Sequence, residues 1–185
     1  MEPDDFWNLF NKINKNDNGN NDKIHLIFIC AGNICRSPFA EMKFKQLLES
    51  AKIPKKIKEK FLIQSGGFIN QKDVRIHKFT EQALMEENIP KSWIDTHFPR
   101  NMRKFKDDMI NADVLIAMTK MHRDILIPKK YKEKVILLSS LGQNGEIEEI
   151  PDPALYDNYE EYIGVTHQIT GYLKNMIMKL EEIFS

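Results

Sequence analysis

The sequence predicts an α/β fold: a four-stranded parallel sheet with helices on both faces, in three layers. Three observations carry this. Four short apolar runs, at 24–29, 61–64, 114–118 and 135–138, have the length and β-branched composition of buried strands. Segments with helical spacing alternate with them, the pattern that builds parallel sheets. The first run passes through Cys30-Ala31-Gly32-Asn33-Ile34-Cys35-Arg36-Ser37-Pro38 directly into a helix, a strand–loop–helix join. Right-handed crossovers then place helices on both faces.

Taken in order, residues 1–22 stand apart. Phe6, Trp7, Phe10 and Ile13 line one side of a short helix. Asn14 to Asp22 holds no apolar residue and is expected to be a mobile linker. The chain therefore divides into an extension, 1–22, and a domain, 23–185. The extension's aromatics either dock on the domain or on a partner or belong to a frayed tail; the linker should isolate residues 1–13, so a chain starting near Asp22 is expected to fold and function. The helix over 38–51 starts at Pro38, whose missing N–H costs nothing in a first turn, and turns Phe39, Met42, Phe44, Leu47 and Leu48 inward. Lys52 to Lys60 is a basic connection holding Pro54. The second strand ends at Ser65-Gly66-Gly67, and 68–78 is a loop. A helix over 80–88 stops at Asn88, and 101–112 contains another with Phe105, Met109 and Ile110 inward. After the third strand a short helix, 120–127, stops at Pro128. Ile150-Pro151-Asp152-Pro153 follows the fourth strand, and 159–184 is a long amphipathic helix.

The loop at 30–38 carries the chemistry. Successive N–H groups at a helix N-terminus make an anion cradle. Cys30 lies at its base, where those amides and a guanidinium favour thiolate over thiol. Arg36 is always charged, and its fork matches two phosphate oxygens. Gly32 and Asn33 tolerate the left-handed backbone that aims amides inward, and Ser37 offers a hydroxyl to the sulfur. These residues suit in-line attack of a thiolate on phosphorus. That chemistry also needs a proton donor for the leaving oxygen and later a base for water.

Composition narrows the partners. At 185 residues one domain is the natural expectation. Lys and Arg number 27, as do Asp and Glu, so no global attraction to nucleic acid or another polyanion arises. No run is apolar enough to span a membrane, and the N-terminus lacks an apolar signal core. Two cysteines in one loop indicate reactive thiols in a reducing, cytoplasmic compartment rather than a disulfide scaffold. A monomer is the default.

Ile27 to Pro38 resembles the signature of the low-molecular-weight protein tyrosine phosphatases, whose Cys-x5-Arg-Ser loop lies near the N-terminus and whose Asp-Pro pair lies near the C-terminus. The similarity runs from about Lys23 to the end of the chain. It implies strand order 2-1-3-4, no metal or other cofactor, and phosphotyrosine-containing proteins as substrates. It makes Cys30 the nucleophile, Arg36 the phosphoryl-binding residue and Asp152 the general acid. The loop residues Ala31, Gly32, Asn33, Ile34, Cys35 and Ser37 bind or support the phosphate. Ser65 hydrogen-bonds into the loop, and His97, in His97-Phe98-Pro99-Arg100, holds Asn33. It also implies that Cys35 resolves oxidised Cys30 as a disulfide. Related bacterial enzymes acting on phosphoarginine carry Thr where this chain has Ile34, and the apolar residue favours an aryl substrate.

Some positions depart from the family pattern. The entrance loop has Asn70-Gln71-Lys72-Asp73 where an aromatic residue usually stands, and Phe68 is the nearest substitute. Thr119 and His122 replace Asp and Asn. Ala154-Leu155 replaces a Tyr pair, with Tyr156 just beyond. Two other functions share this loop: a phosphate- or phosphopeptide-binding module without catalysis, and an arsenate reductase. The latter needs downstream cysteines that the chain lacks.

Overall fold

The computed structural model describes residues 1–15, 23–142 and 147–185. Four strands, β1 (Ile24–Ile29), β2 (Phe61–Gly66), β3 (Val114–Ala117) and β4 (Val135–Leu137), form one sheet in the order β2-β1-β3-β4. All three pairings are parallel, with Ile24 opposite Phe61, Leu26 opposite Val114 and Leu115 opposite Val135. This is the predicted topology. β1 is central and buried along its whole length, which explains its unbroken apolar run.

Side chains alternate across the sheet. Leu26, Phe28, Val114 and Ile116 face the larger core, shared with α1 (Pro3–Lys15), α2 (Arg36–Ser50), α4 (Lys78–Glu86) and α7 (Tyr159–Phe184). Ile27, Ile29, Leu115 and Ala117 face a smaller core beneath α6 (Lys106–Asn111) and the turns at 122–134. The sheet is therefore the middle of three layers. α3 (Lys55–Lys58) is a single helical turn within the basic connection, and α5 (Lys91–Thr96) is a short helix for which the sequence carries no expectation. The helix expected over 120–127 is one π-helical turn, His122–Leu126.

Of the expectations for the N-terminus, docking on the domain is the one the structure shows, and isolation of residues 1–13 is corrected. The segment is helical, but Phe6 and Phe10 are fully buried in the larger core. Phe10 stacks on Phe61 at the start of β2, with ring centroids 5.8 Å apart and planes 12° from parallel. The two aromatics gain more by joining the core than by staying with a separate tail. Residues 16–22 of the expected linker lie outside the described residues. Ile110, expected inward, is exposed because α6 spans under two turns and turns only Met109 to the core.

Candidate active site

The loop between β1 and α2 sits at the carboxyl end of the sheet, where open α/β folds place ligands. The end of β2 holds it from the side. The Cys30 amide donates to the Gly66 carbonyl at 3.2 Å, and the Ala31 carbonyl accepts from the Phe68 and Ile69 amides at 2.8 and 2.9 Å. Gly67 touches the loop backbone: a Cβ there would stand 2.6 Å from the Ala31 oxygen and 2.8 Å from the Asn33 nitrogen. The Ile34 carbonyl accepts from the His77 amide at 2.9 Å, which ties the loop to the start of α4.

Asn33 is the internal brace. Its φ is 54°, a left-handed conformation that Asn tolerates better than most residues. Its Nδ2 donates to Ser37 Oγ at 2.9 Å and to Ser65 Oγ at 2.8 Å. Its Oδ1 accepts from the Arg100 amide at 2.8 Å. Its carbonyl lies 3.0 Å from His97 Nε2. A carbonyl only accepts, so Nε2 carries the proton. Burial holds the His97 pKa below its ordinary value, consistent with a neutral ring. Ser65 donates onward to Glu41 Oε2 at 2.6 Å. Ser65 and His97 thus both contact Asn33 of the loop.

Cys30 Sγ lies 3.0 Å from Ser37 Oγ, at the buried floor of the loop. Arg36 is also buried. Its Nη1 donates to the Ile150 carbonyl at 3.0 Å, and its Nη2 pairs with Asp152 Oδ2 at 3.1 Å. Asp152 is half-exposed and caps the 3₁₀ turn Pro153–Leu155 by accepting from the Ala154 amide at 3.2 Å. The fold therefore brings together Cys30, Arg36 and Asp152, a thiol, an anion-binding fork and a carboxylate. Such a set can attack, hold and protonate a phosphate ester. Among the described residues no cluster of His, Cys, Asp and Glu is arranged to hold a metal ion.

Cys35 is buried. Burial pushes its pKa up to about 11, opposed by a hydrogen bond from Tyr162. The Tyr162 hydroxyl lies 2.5 Å from Thr80 Oγ1, and its ring stacks on His77, with centroids 5.0 Å apart. Burial raises the Tyr162 pKa as well. Ile34 is half-buried.

The entrance departs from the sequence-based expectation. Phe68 is buried in the smaller core and does not flank the mouth. Gln71 stands there instead, its amide nitrogen 2.5 Å from where a Cβ on Gly32 would lie. Leu155 is 80 % exposed, and Tyr156 is half-buried beside it. Glu41, Gln71, Arg100 and Tyr162 escaped sequence reasoning. Gln71, Arg100 and Tyr162 meet the loop through tertiary contacts, and Glu41 reaches it only through Ser65, none with a local motif, although Arg100 lies inside the His-x-x-Arg stretch.

The family model described as low molecular weight phosphotyrosine protein phosphatase matches residues 25–183. The match leaves α1 outside it. The low molecular weight protein-tyrosine-phosphatase PtpB of Staphylococcus epidermidis is 28% identical over 151 residues, which is 80% of this chain and 96% of that protein. The protein-arginine-phosphatase of Bacillus subtilis is 27% identical over 126 residues, 66% of this chain and 76% of the relative. The crystal structure of YfkJ from Bacillus subtilis superposes with a TM-score of 0.70 at 25% identity, over 87% of this chain and 96% of that one.

Proposed function

The chain belongs to the low molecular weight phosphotyrosine protein phosphatase family, and from that premise we propose that it hydrolyses phosphotyrosine in proteins through a cysteinyl-phosphate on Cys30. The observation that carries this is the meeting of Arg36 and Asp152, 3.1 Å apart, at a loop whose floor is the Cys30 sulfur. Cys30 Sγ attacks phosphorus in line and displaces the tyrosyl oxygen. The Arg36 fork and the loop amides hold the three non-bridging oxygens, whose charge grows in the transition state. Asp152 gives its proton to the departing oxygen, then accepts one from the water that hydrolyses the thiophosphate. The Ser37 hydroxyl, already beside the sulfur, stabilises the thiolate as it leaves. Asn33, Ser65 and His97 keep the amides aimed. Residues 23–185 form the phosphatase domain, to which 1–22 are an addition.

The aryl preference rests on Ile34. An apolar side chain beside the phosphate packs against a phenyl ring and offers no hydrogen bond to a guanidinium. The test compares a phosphotyrosyl peptide with a phosphoarginyl protein, using the parent and Cys30→Ser. We expect turnover of the phosphotyrosyl peptide with kcat/KM at least tenfold above that for phosphoarginine, and none in Cys30→Ser. A preference for phosphoarginine would overturn the substrate. Binding of the peptide by the parent without release of phosphate would overturn the enzyme.

A further inference from the structure

A cavity of about 620 Å³ lies between α2, the edge strand β2 and the segment at 93–105. It includes none of Cys30, Arg36 and Asp152, so it is distinct from the site described above. Its volume is that of a small-molecule site. Three rings border it, those of Trp93, Phe98 and Phe105. Phe98 is 57 % exposed, with its ring centroid 6.4 Å from that of Phe105. That aromatic area is not spent on folding and is left for a ligand.

The charged groups are few, and their sum is positive. Lys45 Nζ lies 2.5 Å from Glu41 Oε1. The Arg100 guanidinium sits over the Phe105 ring at 4.9 Å and pairs with Asp108 through Nη2. Its Nε–H is buried without an acceptor. Asp108 does not line the cavity, and burial holds His97 neutral. The lining therefore carries two cations, Lys45 and Arg100, against one carboxylate, Glu41, an excess of one positive charge. A single carboxylate balances that excess, whereas a phosphate dianion exceeds it.

The same walls hold the loop at 30–38. His97 donates to the Asn33 carbonyl at 3.0 Å, and the Arg100 amide donates to Asn33 Oδ1 at 2.8 Å. Glu41 Oε2 accepts from Ser65 Oγ at 2.6 Å, and that oxygen accepts from Asn33 Nδ2 at 2.8 Å. Three wall residues thus converge on one buried side chain, at the left-handed joint of the loop.

We propose that this cavity is an effector site for a small aromatic carboxylate. The ring lies against Phe98, Phe105 and Trp93, and the carboxylate meets Arg100 and Lys45. Binding holds His97 and Arg100 against Asn33, so the loop takes a phosphoryl group more tightly. The inference rests on that loop being the phosphoryl site, and it adds a second ligand to it. Coupling of this kind is reciprocal: each ligand strengthens the other by the same factor.

The test uses the full chain with naphthylacetate as probe, its uncharged amide as control, and vanadate as the loop ligand. Calorimetry should show naphthylacetate binding about fivefold or more tightly in saturating vanadate, and vanadate gaining the same factor in saturating naphthylacetate. The amide should bind at least about tenfold more weakly than the carboxylate. Phe98→Ala should weaken naphthylacetate about tenfold and leave vanadate affinity, measured alone, within about twofold of the parent. The side-chain amide signals of Asn33 should shift when naphthylacetate is added without vanadate. Displacement or weakening of the probe by vanadate would place it in the phosphate loop and overturn the site. Absence of binding, or equal binding of carboxylate and amide, would overturn it as well. Equal affinity for the probe with and without vanadate would overturn the effector role. Failure of the parent to bind vanadate would instead overturn the phosphate-loop reading; the Phe98→Ala comparison and the Asn33 signals would then decide the cavity alone.

Discussion

Asp152 is half in water and tethered by a single capping bond and a single ion pair, so its replacement should leave the fold intact. Asp152→Asn is expected to lower kcat for phenolic phosphates by roughly 10²–10⁴, the range of general acid catalysis. The loss should shrink for substrates whose leaving groups need little protonation. A uniform loss across leaving groups, measured by steady-state kinetics, would make the residue structural. Gly67 is more demanding than its position in a turn suggests. Gly67→Ala puts a Cβ against loop backbone, which cannot swing aside as a side chain would. We expect a fall of tenfold or more in both phosphate affinity and turnover, on the scale of a 1 Å displacement of catalytic groups. Cys35 faces a different constraint. Its neutral thiol attacks an oxidised Cys30 only after losing a proton, so closure of a Cys30–Cys35 bridge after peroxide should speed up about tenfold per pH unit between pH 7 and 9. Mass spectrometry of trapped samples would show it. Cys35→Ala should be inactivated beyond recovery by thiol reductant.

Among the elements, α1 makes the sharpest break with what the sequence conveys. Its apolar stripe was readable at Phe6, Phe10 and Ile13, and so was the polar tract after it. Where the stripe docks was not readable, because the receiving surface combines Phe61 with α7, far along the chain. Removing residues 1–15 strips two fully buried aromatics and should lower Tm by well over 10 °C; Phe10→Ala alone should cost about 3–5 kcal/mol in denaturant unfolding. An unchanged Tm would show that the core closes without α1. The same distinction runs through the site. Cys30, Asn33, Arg36 and Ser37 share one short loop, so spacing alone disclosed them. The four strands and α7 were legible from their periodicity. Phe68 was misread because a loop residue next to a strand can turn into either core or solvent, and only Met102 and Met109 in the smaller core show which. The pairing of Arg36 with Asp152 arises from the path of the chain after β4, on which no local pattern bears.

At the scale of the whole molecule, His77, His97 and His122 share one electrostatic trait. Burial holds each pKa below the ordinary value. The unfolded chain therefore binds protons on these rings first as pH falls, and stability present above about pH 6.5 is lost progressively below it. For His122, with its folded value near 4, the loss is on the order of 2 kcal/mol by pH 5. Urea unfolding at pH 7 and pH 5 should show it, and the difference should shrink in His122→Gln. Among the described residues no helix is long and apolar enough to cross a membrane. Asn33 adds a constraint of another kind. Its hydrogen-bond partners lie 4, 32, 64 and 67 residues along the chain. The loop is therefore a product of assembly and not of local sequence: its left-handed joint closes only after β2 and the segment at 97–100 have docked. In a refolding experiment affinity for phosphate should thus emerge last, after helix content and compactness, and a peptide spanning 24–50 should bind none. The anion becomes a reporter of the completed native state, and it stabilises that state alone.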